Sequence, residues 1–91
     1  MTEDQIRQLG FQIQHDDGGG YWDPYYYFTY EIVDGLELIS SASDETPEEG
    51  WYVEIFDTLE PIRFYEYEEL KQLITILEKA KLKTQEYVKT K

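Results

Sequence analysis

His15 is the single histidine of the chain and stands next to Asp16 and Asp17. An imidazole that titrates near neutrality, beside carboxylates able to orient it, could serve as a general base or a metal ligand. The spacing argues against both. The sequence holds no cysteine and no second histidine, and a lone His without a spaced partner is a weak ligand signal. The Asp-Asp-Gly stretch lacks the alternating ligands and terminal glutamate of a calcium loop. The plainer reading is an exposed strand end leading into a glycine turn. Gly18, Gly19 and Gly20 do not form a phosphate cradle, because the P-loop lysine and hydroxyl residue are missing and no helix follows. The carboxylates Asp44, Glu45, Glu48 and Glu49 form an acidic stretch that would attract a cation only loosely. Twenty acidic residues leave paired-carboxylate chemistry open in principle, but a chain this small has little volume for a substrate-burying pocket. No catalytic residue, metal ligand or cofactor is therefore assigned, and the chain is expected not to be an enzyme.

The aromatic content is the unusual feature. Nine tyrosines and two tryptophans occur in 91 residues, many of them in the run from Tyr21 to Tyr30. A strand with rings at both parities puts aromatics on both faces of its sheet. Tyr26, Phe28 and Tyr30 face the core while Tyr25 and Tyr27 face outward beside Tyr52 and Phe56, or the reverse. Such rings either stabilise an open sheet surface by cross-strand pairing or form a binding face, since Tyr and Trp give rigid contact area at low entropic cost. Base stacking would use the same rings, but a basic groove is missing.

Charge sharpens this. The formal net charge is −12. Residues 1–70 hold eighteen acidic and two basic side chains, whereas residues 71–91 hold six lysines and two glutamates. Nucleic acid and anionic membranes should be repelled by the acidic part. The expected partner is a basic or nucleic-acid-binding protein, or a second copy whose basic tail meets the acidic sheet. The acidic start of the chain lacks the pattern of a signal peptide, no apolar run approaches a transmembrane length, and the absence of cysteine is compatible with a reducing compartment. A cytoplasmic setting is the expectation.

The elements that must position these residues follow from periodicity. Thr2 to Leu9 reads as a short helix with a Thr2/Gln5 capping box and Gly10 as its stop. Phe11 to His15 alternates as a strand, followed by a flexible glycine turn. Tyr25–Val33 and Leu36–Ser40 flank Asp34-Gly35, a two-residue hairpin signal. Residues 41–50 read as an exposed acidic loop, Trp51–Phe56 as a strand with Trp51, Val53 and Ile55 on one side, and Ile62–Phe64 as a short last strand. Leu70, Leu73, Ile74 and Leu77 mark one face of a long helix, with the chain beyond Thr84 expected to fray. The stripe should pack on Val53, Ile55 and their sheet neighbours. The fold class is α+β: a short N-terminal helix, an antiparallel sheet of about four to five strands, and a long C-terminal amphipathic helix on one face. A single domain spans 1–85, with 86–91 as a tail.

The string Leu36–Ser40, an acidic loop, Trp51–Asp57, Ile62–Phe64 and Leu70…Leu73-Ile74 resembles small uncharacterised acidic proteins of bacterial phages and prophages. The resemblance implies an accessory role in a mobile element and transfers no site residue. The leading expectation is a protein-interaction module whose surface comprises Tyr25, Tyr27, Glu37, Tyr52, Glu54 and Phe56. The alternatives are an acidic DNA mimic, with Asp34, Glu37, Glu54 and Asp57 standing in for phosphates, and a small enzyme or metal-binding protein around His15.

Overall fold

Alternation in the aromatic run decides which rings are buried. In the computed structural model, which describes residues 1–89, the strand Tyr25–Val33 turns Phe28 and Ile32 inward and leaves Tyr25, Tyr27, Thr29 and Glu31 on the opposite side. The elements in order are α1 (Glu3–Gln8), β1 (Gln12–Asp16), a 3-10 turn (Gly18–Gly20), β2 (Tyr25–Val33), β3 (Leu36–Ser40), β4 (Val53–Ile55), β5 (Arg63–Phe64) and α2 (Tyr67–Lys89). The five strands pair antiparallel in the order of the chain. This is the expected α+β arrangement. The Asp34-Gly35 turn closes the β2–β3 hairpin, with Val33 opposite Leu36 and a register shift between Glu31 and Val33.

Both helices lie on one face of the sheet. The core consists of Ile6, Phe11, Phe28, Leu38, Val53, Leu70 and Ile74, with Tyr26, Tyr30, Trp51, Ile55 and Phe64 packed around it. α1 is short, yet Ile6 is fully buried and Arg7 lies over the Phe28 ring, 5.1 Å from its centroid. The Thr2/Gln5 capping box is present. On α2, Leu70 and Ile74 carry the burial, whereas Leu73 and Leu77 are half-buried. The stripe read from the sequence is therefore narrower in the fold, with burial falling off at Leu73 on its flank and at Leu77 toward the C-terminal end.

Three local expectations are refined or changed. The glycine segment is a turn, as expected, but a 3-10 one tied by side chains: the Asp16 and Asp17 carboxylates accept the Gly18 and Gly19 N–H groups at 2.8 and 2.9 Å, and Gly18 is buried. The segment after β3 is not an exposed loop from its first residue. Ser41 is buried and pairs through its N–H with the Tyr52 carbonyl at 2.9 Å. The Ser40 hydroxyl accepts the Phe28 N–H at 2.8 Å and donates to the Ser41 carbonyl, while the Ser43 hydroxyl accepts the Tyr26 N–H at 3.0 Å. Serine side chains thus continue the β2 ladder where the β3 backbone has turned away, which satisfies donors that would otherwise be stranded. Finally, α2 does not end at Thr84. Glu86–Lys89, most of the segment read as a frayed tail, is helical, and the last two positions of that segment lie outside the described residues.

The 23 residues of α2 make a rod of about 34 Å. Near its middle, Glu78 ties it to the sheet by accepting from the Tyr30 hydroxyl at 3.3 Å. From Lys79 to Val88 every residue is exposed except the half-buried Lys81. The molecule accordingly measures 52 × 28 × 26 Å with a radius of gyration of 15.1 Å, against about 12 Å for a compact chain of this length.

Candidate functional site

The sheet face away from the helices is built by the odd-numbered residues of β2 and β3 and their partners. Strand register lines up Gln12, Thr29, Ile39, Glu54 and Arg63 in one row across all five strands. Tyr25 and Tyr27 flank this row, their rings 6.2 Å apart. A shallow depression of about 340 Å3 brings Tyr25, Tyr27, Ile39, Tyr52, Glu54 and Glu45 together. Four of the six residues expected to form an interaction surface, Tyr25, Tyr27, Tyr52 and Glu54, thus line one patch. Glu37 and Phe56 do not join it. They sit toward the other end of the sheet, where the Phe56 N–H donates to the Glu37 carbonyl at 2.8 Å and the Phe56 side chain is exposed.

The edge of the patch is locked by one cation. Arg63 Nε donates to Glu54 Oε1 at 2.7 Å, and its guanidinium lies 4.3 Å from the centroid of the Tyr52 ring. The Tyr65 ring completes the cluster, 5.9 Å from Tyr52. Hydrogen bonding to Glu54, then to Tyr65, raises the Arg63 pKa further above its ordinary value. Glu54 is therefore already engaged, and the free negative charge of the face lies elsewhere. Glu31 and Glu37 stand directly opposite each other across β2 and β3. They line a second depression of about 550 Å3 with Gln12, Gln14 and Thr29. Like charges facing each other across strands are destabilising, so this pair favours an incoming cation.

Sequence reasoning missed Ile39, Glu31, Arg63 and Tyr65. The alternation that placed Tyr27 and Glu37 outward also places Ile39 and Glu31 there. Tyr65 and Arg63 required the β4–β5 pairing, which a two-residue strand does not announce. Of the four carboxylates considered as phosphate stand-ins, Glu37 and Glu54 lie on the open face, while Asp34 and Asp57 sit in turns at one end of the sheet.

His15 stands opposite Tyr26 in the β1–β2 register, with ring centroids 6.2 Å apart, on the helix-bearing side of the sheet. Asp16, its neighbour, turns to the other side and accepts from the Tyr25 hydroxyl at 3.0 Å while holding the Gly18 N–H. The carboxylate beside His15 is thus committed to the turn. Among the described residues no group of three or more His, Asp or Glu side chains is gathered as a metal would require. No helix among them is long and apolar enough to cross a membrane.

Three tyrosines, Tyr25, Tyr26 and Tyr30, have their pKa raised, Tyr26 by Glu3 and then by burial, and two of them are bonded through their hydroxyls to carboxylates across the fold. The Asp16 hydrogen bond raises the Tyr25 pKa above its ordinary 10.0, and burial followed by the Glu78 charge raises that of Tyr30. Both hydroxyls hold their protons more tightly in the fold than in the unfolded chain. The stability they contribute is full below pH 10 and is lost as pH rises through the folded values. Melting temperature should fall across this alkaline window, and Tyr25→Phe with Tyr30→Phe should flatten the fall. An unchanged slope in the double variant would mean that these hydroxyls are not coupled to folding.

No protein-family model, curated protein or solved structure matches the chain.

Proposed function

We propose that the protein is a non-enzymatic interaction module that binds a basic protein surface on its open sheet face. The observation that carries this reading is the division of the sheet: both helices cover one face, and the other is left with Tyr25, Tyr27, Ile39 and Tyr52 among carboxylates. Rigid rings would supply contact area, and the acidic surround would select and steer a basic partner. The cation of the face, Arg63, is held by Glu54, so the face as a whole stays negative. The setting proposed is cytoplasmic, and the resemblance to phage and prophage proteins adds an accessory role in a mobile element.

The test is capture from a bacterial lysate by the tagged chain and by its Tyr27→Ser/Tyr52→Ser variant, with circular dichroism as the control for folding. Capture of a basic protein should fall about tenfold or more in the folded variant, since buried aromatic anchors dominate interfaces. Partners retained equally by both would overturn the reading. A salt series separates it from nucleic-acid mimicry: an aromatic contact weakens modestly with ionic strength, whereas a surface of phosphate stand-ins weakens steeply.

A further inference from the structure

The chain itself carries a surface of the kind that face would bind. Ile76, Lys79, Ala80 and Lys83 are all exposed and fall at i, i+3, i+4 and i+7 of α2, so they form one continuous ridge. Leu70, Ile74 and Leu77, at the same spacing, form a different ridge that faces the sheet. At 100° per residue the two ridges are separated by roughly a third of the helix circumference. Ile76 keeps 63% of its surface exposed, although it sits in the middle of a helix with a core to join. Beyond Glu78 the residues as far as Val88 are exposed apart from the half-buried Lys81, and the molecule is 52 Å long. The charge is divided along the chain as well, with five of the eight basic side chains beyond Glu78.

We infer that the C-terminal half of α2, from Ile76 onward, docks across the open sheet face of a second copy, forming a reciprocal dimer. This rests on the reading of the open face as a binding surface and names its occupant. The charges are complementary: Lys79 and Lys83 lie one helical turn apart, with Cβ atoms about 5–6 Å from each other. Glu31 and Glu37 are directly opposed, which places their Cβ atoms about 4.5–5.5 Å apart. Two lysines presented at that spacing would relieve the repulsion between the glutamates. Ile76 and Ala80, beside the lysines on the ridge, would then meet Ile39 and the tyrosines of the aromatic patch. The ten residues from Lys79 to Val88 span about 15 Å, or roughly three strand spacings, so the helix is long enough to cross most of the sheet. Exchange of helices between two copies uses the same contact twice and closes on itself, as a two-fold dimer must.

A charge exchange tests this with full-length protein. Sedimentation velocity of the wild type should show a monomer–dimer equilibrium that weakens with salt. Lys79→Glu/Lys83→Glu makes the ridge acidic, and Glu31→Lys/Glu37→Lys makes the face basic. Each variant alone should raise the dissociation constant roughly tenfold or more, because its ridge and face then carry like charge. Mixing the two should restore a dimer of one copy of each, since every ridge then meets a face of opposite sign. A wild type that stays monomeric at its highest soluble concentration would overturn the proposal, as would dimers that survive in either variant, or variants that fail to pair on mixing. None of these results would touch capture of a basic protein through Tyr27 and Tyr52, which stands or falls by the lysate experiment.

Discussion

Leu70→Ala is expected to lower stability by about 2–5 kcal/mol, the range for emptying a buried leucine site in a packed core. Leu70 is completely buried and belongs to the same cluster as Val53, Leu38 and Phe28. It joins the first turns of α2 to the sheet, so the cavity would open at the seam between the two layers. Domains of this size are stable by only about 5–15 kcal/mol, and one substitution would remove a large share of that. Leu73→Ala is the internal comparison. The half-buried Leu73 occupies the flank of the stripe, and its truncation should give a clearly smaller loss. Urea midpoints of the two variants decide the matter: equal losses would mean that α2 is rotated about its axis relative to the placement described above.

Gly50→Ala is expected to be the next most damaging change. Gly50 has φ +123°, and a Cβ added there would stand 2.8 Å from the Met1 carbonyl oxygen, an atom of the backbone. That carbonyl accepts the Trp51 N–H at 2.8 Å, so it cannot withdraw without breaking the bond that fixes the approach to β4. The backbone conformation alone should cost about 1–3 kcal/mol in a residue with a side chain, and the overlap adds to it. Gly35→Ala separates the two contributions. Gly35 also has a positive φ, +94°, but a Cβ there meets nothing within 4 Å. Thermal melts should rank wild type above Gly35→Ala and Gly35→Ala above Gly50→Ala. If the two variants melt together, the segment at Met1 is not held against Gly50.

The elements that sequence patterning located best are those whose signal is local. Asp34-Gly35 between two β-rich runs fixed the hairpin, and the bounds Tyr25–Val33 and Leu36–Ser40 stand as the alternation implied. Thr2 and Gln5 announced the cap of α1 because each side chain accepts the other's backbone N–H, only three residues away. The misreadings share a different physics. A polar serine-rich segment looks like a solvated loop, since nothing in Ser40 or Ser43 says that their hydroxyls will receive the N–H groups of β2. A helical stripe covering Leu70, Leu73, Ile74 and Leu77 gives the side that is buried, but not which of the four lies at its centre. The same limit applied to the open face. Parity correctly grouped Tyr25, Tyr27, Tyr52 and Glu54, while the separation of Glu37 and Phe56 from them depended on distances along the sheet that alternation does not measure.

The sheet whose spatial order repeats its chain order has a consequence for how the fold is reached. Each strand pairs with the one synthesised just before it, so no pairing waits on a crossover or on a distant segment. The turn at Asp34-Gly35 closes the shortest loop and is the natural place for ordering to begin, with β1 and β4 adding to either side by short closures whose entropy rises only slowly with length. Topologies dominated by such near-neighbour contacts fold quickly for their size. α2 follows the last strand in the chain, and its Leu70 and Ile74 close the core against the sheet. Refolding measured by stopped-flow fluorescence should therefore be rapid for a chain of this size.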